Sequence, residues 1–222
     1  MNRTQLPLAL SALLLAACAG STTSNAADAS EQAQAASPAS FPGMAMDGAQ
    51  GVAVFAGGCF WCVESAFDEL KGVISAESGY IGGPEQNPTY YQVAGGKTGH
   101  AEAVRVLFDP AKVSYQQLVD VFWHNIDPFQ ANAQFCDTGP QYRSELFFSG
   151  EKQRDIAEKS RNAVEKRFKR KVVTKLTEAG VFWTAEEYHQ DFHKKNPVRY
   201  LSYRMGCGRD RRLLELWGTK GH

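Results

Sequence analysis

Val52-Ala53-Val54-Phe55-Ala56-Gly57-Gly58-Cys59-Phe60-Trp61-Cys62-Val63 carries the chain from one kind of periodicity into another. Residues 52–57 form an apolar, strand-like run ending in Gly57-Gly58. Phe60, Val63, Phe67 and Leu70 then recur at helical spacing until Gly72 closes the segment. The pattern predicts a strand over 52–57 and a helix over 60–70, with Cys59 delivered to the first helical turn. A cysteine there meets unpaired backbone N–H groups and the positive end of the helix dipole. Those influences are expected to lower its pKa from about 8.5 toward neutrality. The glycines, without side chains, leave the sulfur open to approach. Cys59 is therefore read as a nucleophile; the competing reading is a buried core cysteine, a common fate for this residue type. Cys62 completes Cys-x-x-Cys at a helix start, a spacing that serves disulfide chemistry or metal binding.

Working outward, the N-terminal side changes character. In residues 1–17 Arg3 is the sole charge, and the apolar stretch from Leu6 to Ala17 is too short to span a bilayer. Leu15-Ala16-Ala17-Cys18 resembles the bacterial lipoprotein processing box. That resemblance implies cleavage before Cys18 and lipid attachment to it, with an ordinary secretory signal as the alternative. Either reading exports the protein, and the first anchors it to a bacterial membrane, periplasmic or at the cell surface. Residues 18–48 are rich in Ala, Ser, Gln, Pro and Gly, with Asp28, Glu31 and Asp47 and no basic residue. Such a segment buries too little apolar surface to offset its ordering entropy and is read as the anchor cysteine plus a flexible linker.

Residues 49–222 are read as the catalytic domain. An extended stretch follows at 73–81, a Gly- and Pro-rich loop at 82–99, and a strand at 101–108 that Asp109-Pro110 ends. Ser114 and Gln117 have capping-box spacing before the helical stripe Leu118, Phe122 and Ile126. Further elements are a strand at 141–148, a helix at about 151–168 and a strand at 172–176. Thr184 and Glu187 are read as capping a last short helix to about Lys194, and the tail from Val198 as irregular. The order βαββαβαβα suggests an α+β fold, a two-layer α/β sandwich around a mixed sheet. The formal net charge is zero, so nothing global points to nucleic acid. The basic run from Lys166 to Lys171 sits where bases satisfy a helix C-terminus.

Among residues able to do chemistry, Glu102 occupies the same strand face as Val104, Val106 and Phe108. On a buried face its carboxyl would have a raised pKa and serve as a general acid; at a strand end turned to solvent it would be ordinary. Tyr90 and Tyr142 are phenols in polar segments, able to donate to a substrate oxygen or simply to pack. His189 and His193 lie one helical turn apart without a third ligand nearby, so no metal site is read there. Cys59, Cys62, Cys136 and Cys207 form only one Cys-x-x-Cys knuckle, which disfavours a four-thiolate zinc site.

Taken together, Gly57-Gly58-Cys59-Phe60-Trp61, Gly79-Tyr80-Ile81-Gly82-Gly83, Asn87-Pro88-Thr89-Tyr90, Thr98-Gly99-His100-Ala101-Glu102, Asp137-Thr138-Gly139-Pro140-Gln141-Tyr142-Arg143-Ser144 and His189-Gln190 resemble the methionine sulfoxide reductase A family, from about Val52 to Trp217. The resemblance implies a ferredoxin-like core and reduction of the S epimer of methionine sulfoxide, protein-bound or free, without a cofactor. It matches Cys59 to the nucleophile that becomes a sulfenic acid, Glu102 to the proton donor, and Tyr90 and Tyr142 to the phenols that bind the sulfoxide oxygen. It matches Phe60 and Trp61 to the pocket for the methyl group and Asp137 to a polar pocket residue. Cys62 stands where many members have Gly, Cys136 where many have Asn, and Phe192 where many have Tyr. The resolving thiol is sought first in Cys62, then Cys207, then Cys136, with a thioredoxin-like reductant and a monomeric enzyme expected. The rival readings are a thiol–disulfide oxidoreductase using Cys59 and Cys62, and a lipid-anchored zinc-binding module.

Overall fold

The structure, a computed structural model, describes residues 38–39 and 50–221. The expected signal at 1–17 and the lipidation position Cys18 lie outside the described residues. Within them no helix is long and apolar enough to cross a membrane.

The Val52–Val63 pattern builds strand β2 (Gly51–Gly57) and helix α1 (Phe60–Asp68). Strands β3 (Val73–Ile81) and β4 (Ala101–Phe108) follow as expected. Helix α3 (Tyr115–His124) starts at a Ser114/Gln117 capping box in which each side chain meets the other's backbone N–H. The 82–99 loop holds a short helix, α2 (Tyr90–Ala94), started by a second capping box from Thr89 and Gln92. Strand β7 (Ser144–Phe148) leads into α4 (Gly150–Phe168), and β8 (Lys175–Glu178) starts three residues later than its β-branched run suggested.

Strands β3, β4, β2 and β7 pair antiparallel in that spatial order. With α1 and α3 as connections this is the βαββαβ, ferredoxin-like arrangement. β8 adds in parallel outside β7, making the sheet mixed. On the other edge β9 (Phe182–Thr184) pairs with β3, and β1 (Pro38–Ala39) pairs with β9. The linker therefore contributes a two-residue edge strand where a purely flexible tether was expected. β9 also corrects the reading of Thr184 and Glu187 as a helix cap: Thr184 ends a strand, residues 187–189 make a single 3₁₀ turn, and α5 is confined to Phe192–Lys195. Edge pairing to Gly79 and Tyr80 claims the backbone that the cap would have used.

Phe55, Val104, Val106 and Phe108 pack with Phe67, Leu118, Phe122 and Trp123 of the helices, and Glu102, on the same face of β4, is buried beside them. The irregular tail is also corrected. It forms α6 (Pro197–Gly206) and α7 (Arg209–Trp217), separated by Gly208 at φ +70°. Their buried stripes are thin, Tyr200 and Arg204 on one and Arg209, Leu213 and Trp217 on the other, so two of the five anchors are arginines and the apolar periodicity stays weak.

Candidate active site

Gly58, at φ +87°, turns the chain out of β2, and a Cβ there would lie 2.6 Å from the Cβ of Gln134. The Gln134 amide is fixed by both backbone groups of Asp127, accepting from its N–H at 2.9 Å and donating to its carbonyl at 2.7 Å. This tight turn places Cys59 at the N-cap of α1, buried, with Cys62 buried one turn later. Both are free thiols.

The first helical N–H, that of Phe60, donates to Oε2 of Glu102 at 3.0 Å. The acid is only 2 % exposed, and burial pushes its pKa up to about 8, with the charges of Asp137 and Cys62 adding to the rise and the Phe60 N–H opposing it. Most of the Glu102 population is therefore protonated at neutral pH, and the oxygen not engaged by Phe60 is available to carry the proton.

Burial overturns the expected electrostatics of Cys59. Its thiol is pushed up, first by burial and then by its hydrogen bond to Cys62 and the negative charges of Cys62, Glu102 and Asp137. Cys62 moves the other way: the Cys59 S–H donates to it, and Arg209 and Arg204 stabilise its charge against the cost of burial. The two shifts run in opposite directions, so Cys62 is the more acidic of the two buried thiols.

Tyr90 opens α2, and its backbone N–H donates to Glu186 at 2.8 Å. The other Glu186 oxygen accepts from the Tyr80 hydroxyl at 2.8 Å. Tyr142 ends a 3₁₀ turn (Pro140–Tyr142) that is tied to the end of α2 by a Gln141 Nε2 donation to Ala94 O at 2.9 Å. Burial pushes the Tyr90 phenol up to about 12 and raises Tyr142 further, and each feels Glu102, Asp137 and Cys59. Both phenols therefore stay protonated donors beside the carboxylic acid and the thiols.

The aromatic side of the site is a continuous stack. Phe60 lies 4.9 Å from His189 and 6.5 Å from Tyr90, and Trp61 stacks on Phe192 at 3.7 Å. The Trp61 indole N–H donates to Nδ1 of His189 at 3.2 Å, and burial lowers that imidazole to about 4, so it accepts as a neutral ring. His193 instead approaches Asp68 at 3.2 Å, so the two histidines serve different partners. Asp137, in the two-residue strand β6 (Asp137–Thr138) opposite β5 (Ala133–Gln134), accepts from Tyr203 of α6, and burial raises its pKa.

Cys136 and Cys207, both considered as resolving thiols, are joined to each other in a disulfide. Neither carries a thiol here, and neither supplies a thiolate to a zinc site. Cys207 also lies at the C-cap of α6 and not in a loose tail. The residues that sequence reading missed are Glu186, Tyr80, Tyr203 and Arg209. Arg209 is 1 % exposed and donates to Asn125 O at 2.7 Å and to Gly57 O at 2.9 Å. Its one available signal was the Gly206-Cys207-Gly208 turn, which permits α7 to fold back beneath the nucleophile's loop.

Residues 51–221 match the family model described as peptide methionine sulfoxide reductase. The chain is 47 % identical over 171 residues to the peptide methionine sulfoxide reductase MsrA of Bacillus licheniformis, covering 76 % of this chain and 94 % of that protein. Among solved structures, it resembles methionine sulfoxide reductase A of Corynebacterium diphtheriae at 33 % identity and a TM-score of 0.61, over 70 % of this chain and 76 % of the other. It resembles reduced Mxr1 of Saccharomyces cerevisiae at 30 % identity and a TM-score of 0.64, over 67 % of this chain and 87 % of the other.

Proposed function

The chain belongs to the peptide methionine sulfoxide reductase family, and from that premise we propose that Cys59, Glu102, Tyr90 and Tyr142 carry out reduction of the S epimer of methionine sulfoxide. The observation that carries this assignment is the buried Glu102 carboxyl on the N–H of the residue after Cys59. A sulfoxide oxygen is a poor leaving group until it is protonated. Glu102 supplies the proton, and the Tyr90 and Tyr142 hydroxyls donate hydrogen bonds to the same oxygen. Phe60 and Trp61 form the apolar wall for the substrate's methyl group, with Asp137 on the polar side. Opposed apolar and donor walls around a chiral sulfur give the site its preference for one epimer.

As Cys59 attacks the substrate sulfur, its proton passes to the Cys62 thiolate. The oxygen leaves with Cys59 as a sulfenic acid, and methionine is released. Cys62 then attacks the sulfenic sulfur, forming the Cys59–Cys62 disulfide and expelling water. The free, buried Cys62 thiol one helical turn from Cys59 supports Cys62 as the resolving thiol. A dithiol protein of thioredoxin type returns the pair to thiols, so no cofactor takes part. Export, lipid anchoring through Cys18 and a monomeric state complete the reading, with methionine-S-sulfoxide, protein-bound or free, as substrate. The apolar run before Cys18 supports the first two.

The test is incubation of the protein with a peptide carrying both sulfoxide epimers and dithiothreitol, followed by chiral chromatography. Loss of the S epimer alone, abolished by Cys59→Ser, is expected. Persistence of both epimers alongside rapid reduction of insulin disulfides would replace this assignment with a thiol–disulfide oxidoreductase.

A further inference from the structure

The Cys136–Cys207 disulfide lies within a three-part junction. Phe135 and Asp137 flank Cys136 in the turn between β5 and β6, and Tyr203 and Arg209 flank Cys207 on α6 and α7. The Arg209 guanidinium lies 4.3 Å over the Phe135 ring, and the Tyr203 hydroxyl donates to Asp137. The sulfur bridge joins the residues between those two contacts, and the Cys136 N–H donates to Cys207 Sγ at 3.2 Å. The paired strands of this turn are two residues each, and Phe135 is at φ +57°. A hairpin so short has little stability of its own. Yet it carries Asp137 into the charge field of Cys59, Glu102, Tyr90 and Tyr142. In the same structure Cys59 and Cys62 are open, buried thiols, 6 % and 1 % exposed, while the more accessible Cys136 is closed.

We propose that the Cys136–Cys207 disulfide is a positioning element of the substrate pocket: it holds Asp137 against Tyr203, stays closed through turnover and takes no part in electron transfer. The redox cycle then belongs to Cys59 and Cys62 alone. This rests on the assignment of Cys59 as nucleophile and Cys62 as its resolving thiol. One sulfoxide is reduced to a thioether while those two thiols lose two electrons, two protons and become one disulfide, with one water formed.

The experiment compares two preparations of the protein with Cys18→Ser, so that position 18 adds no thiol. One is isolated without reductant, and the other is fully reduced and freed of reductant. Each is titrated with a peptide S-sulfoxide in the absence of recycling, with thiol counts and disulfide mapping before and after. Both are expected to consume one sulfoxide per chain and to form the Cys59–Cys62 link. The Cys136–Cys207 bond should be intact in the first preparation after reaction. The fully reduced protein should need about fivefold more peptide for half-maximal single-turnover rate, with its maximal rate nearly unchanged. Asp137→Asn should weaken binding in the closed form and add little in the fully reduced form, since both act on one contact.

Consumption of two sulfoxides by the fully reduced protein, or a mapped link from Cys59 to Cys136 or Cys207, would make the second pair an electron relay and overturn the proposal. Equal half-saturation in the two preparations would overturn it as well. If neither preparation consumes sulfoxide, the underlying assignment of function fails instead, a result distinct from either of those.

Discussion

Glu102 stands level with Val104, Val106 and Phe108 on the helix-facing side of β4, and its side chain is held by a backbone N–H, with no cation acting on it among the described residues. Its folded pKa, about 8, lies above the ordinary glutamate value of 4.5, so the folded chain binds this proton more tightly than the unfolded chain does. That contribution to stability is complete below the unfolded value, shrinks as pH rises from about 4.5 to about 8, and is gone above it. Glu102→Gln is neutral at every pH and escapes the loss. The variant should therefore melt higher than the parent at pH 9, by a few kcal/mol at the ~1.4 kcal/mol carried by each pKa unit, and the gap should close below about pH 4.5. Melting curves of the two proteins from pH 4 to pH 9 measure this directly; parallel curves would place the proton elsewhere. Sulfoxide reduction should fall at least 100-fold in the same variant, the usual scale for loss of a general acid. The position of Glu102 was legible from strand alternation. The state of Cys59 was not, because the burial that pushes its thiol up comes from tertiary packing that the local pattern does not carry.

Helix and strand starts were readable where the signal is local. The Ser114/Gln117 capping box sets α3, whereas the same spacing at Thr184 and Glu187 failed because an edge strand competes for that backbone. Thr89 and Gln92 carry the equivalent signal for α2, within a loop whose glycines and prolines obscured it. The two kinds of helix start should separate in mutation. Ser114→Ala removes an exposed cap far in sequence from the thiols and should cost about 1 kcal/mol, with kcat/KM unchanged. Glu186→Gln replaces a carboxylate that accepts from two donors, the Tyr90 N–H and the Tyr80 hydroxyl, with an amide that has a single acceptor oxygen. It should cost about 2 kcal/mol and lower kcat/KM roughly tenfold, because α2 and the Tyr90 phenol lose their anchor. Denaturant melts with steady-state kinetics on both variants distinguish the cases; an equal loss of activity in each would mean that α2 is held by contacts other than Glu186.

At the scale of the molecule, the last two helices belong to the core they close. Leu213 is fully buried and Trp217 nearly so; the indole N–H donates to Ile126 O at 3.0 Å, and the ring meets Phe168 at 5.0 Å. The same α7 supplies Arg209 to Gly57 O, two residues before the nucleophile. No methionine occurs among the buried hydrophobic residues described, and Met205 is 73 % exposed, so the described core offers an oxidant no thioether to attack. This closure was illegible in the sequence because two of its five anchors are arginines and because the Trp217 indole finds its hydrogen-bond acceptor 91 residues upstream. Trp217→Ala should cost about 3–5 kcal/mol, the range for emptying a buried aromatic site. If α6 and α7 fold with the sheet, far-ultraviolet circular dichroism and sulfoxide reductase activity should disappear in one denaturant transition, moved to a lower midpoint with its slope preserved. Activity lost at a lower denaturant concentration than the bulk of the helical signal would instead mean that the C-terminal helices detach first, carrying Arg209 away from the Cys59 loop while the sheet stays folded.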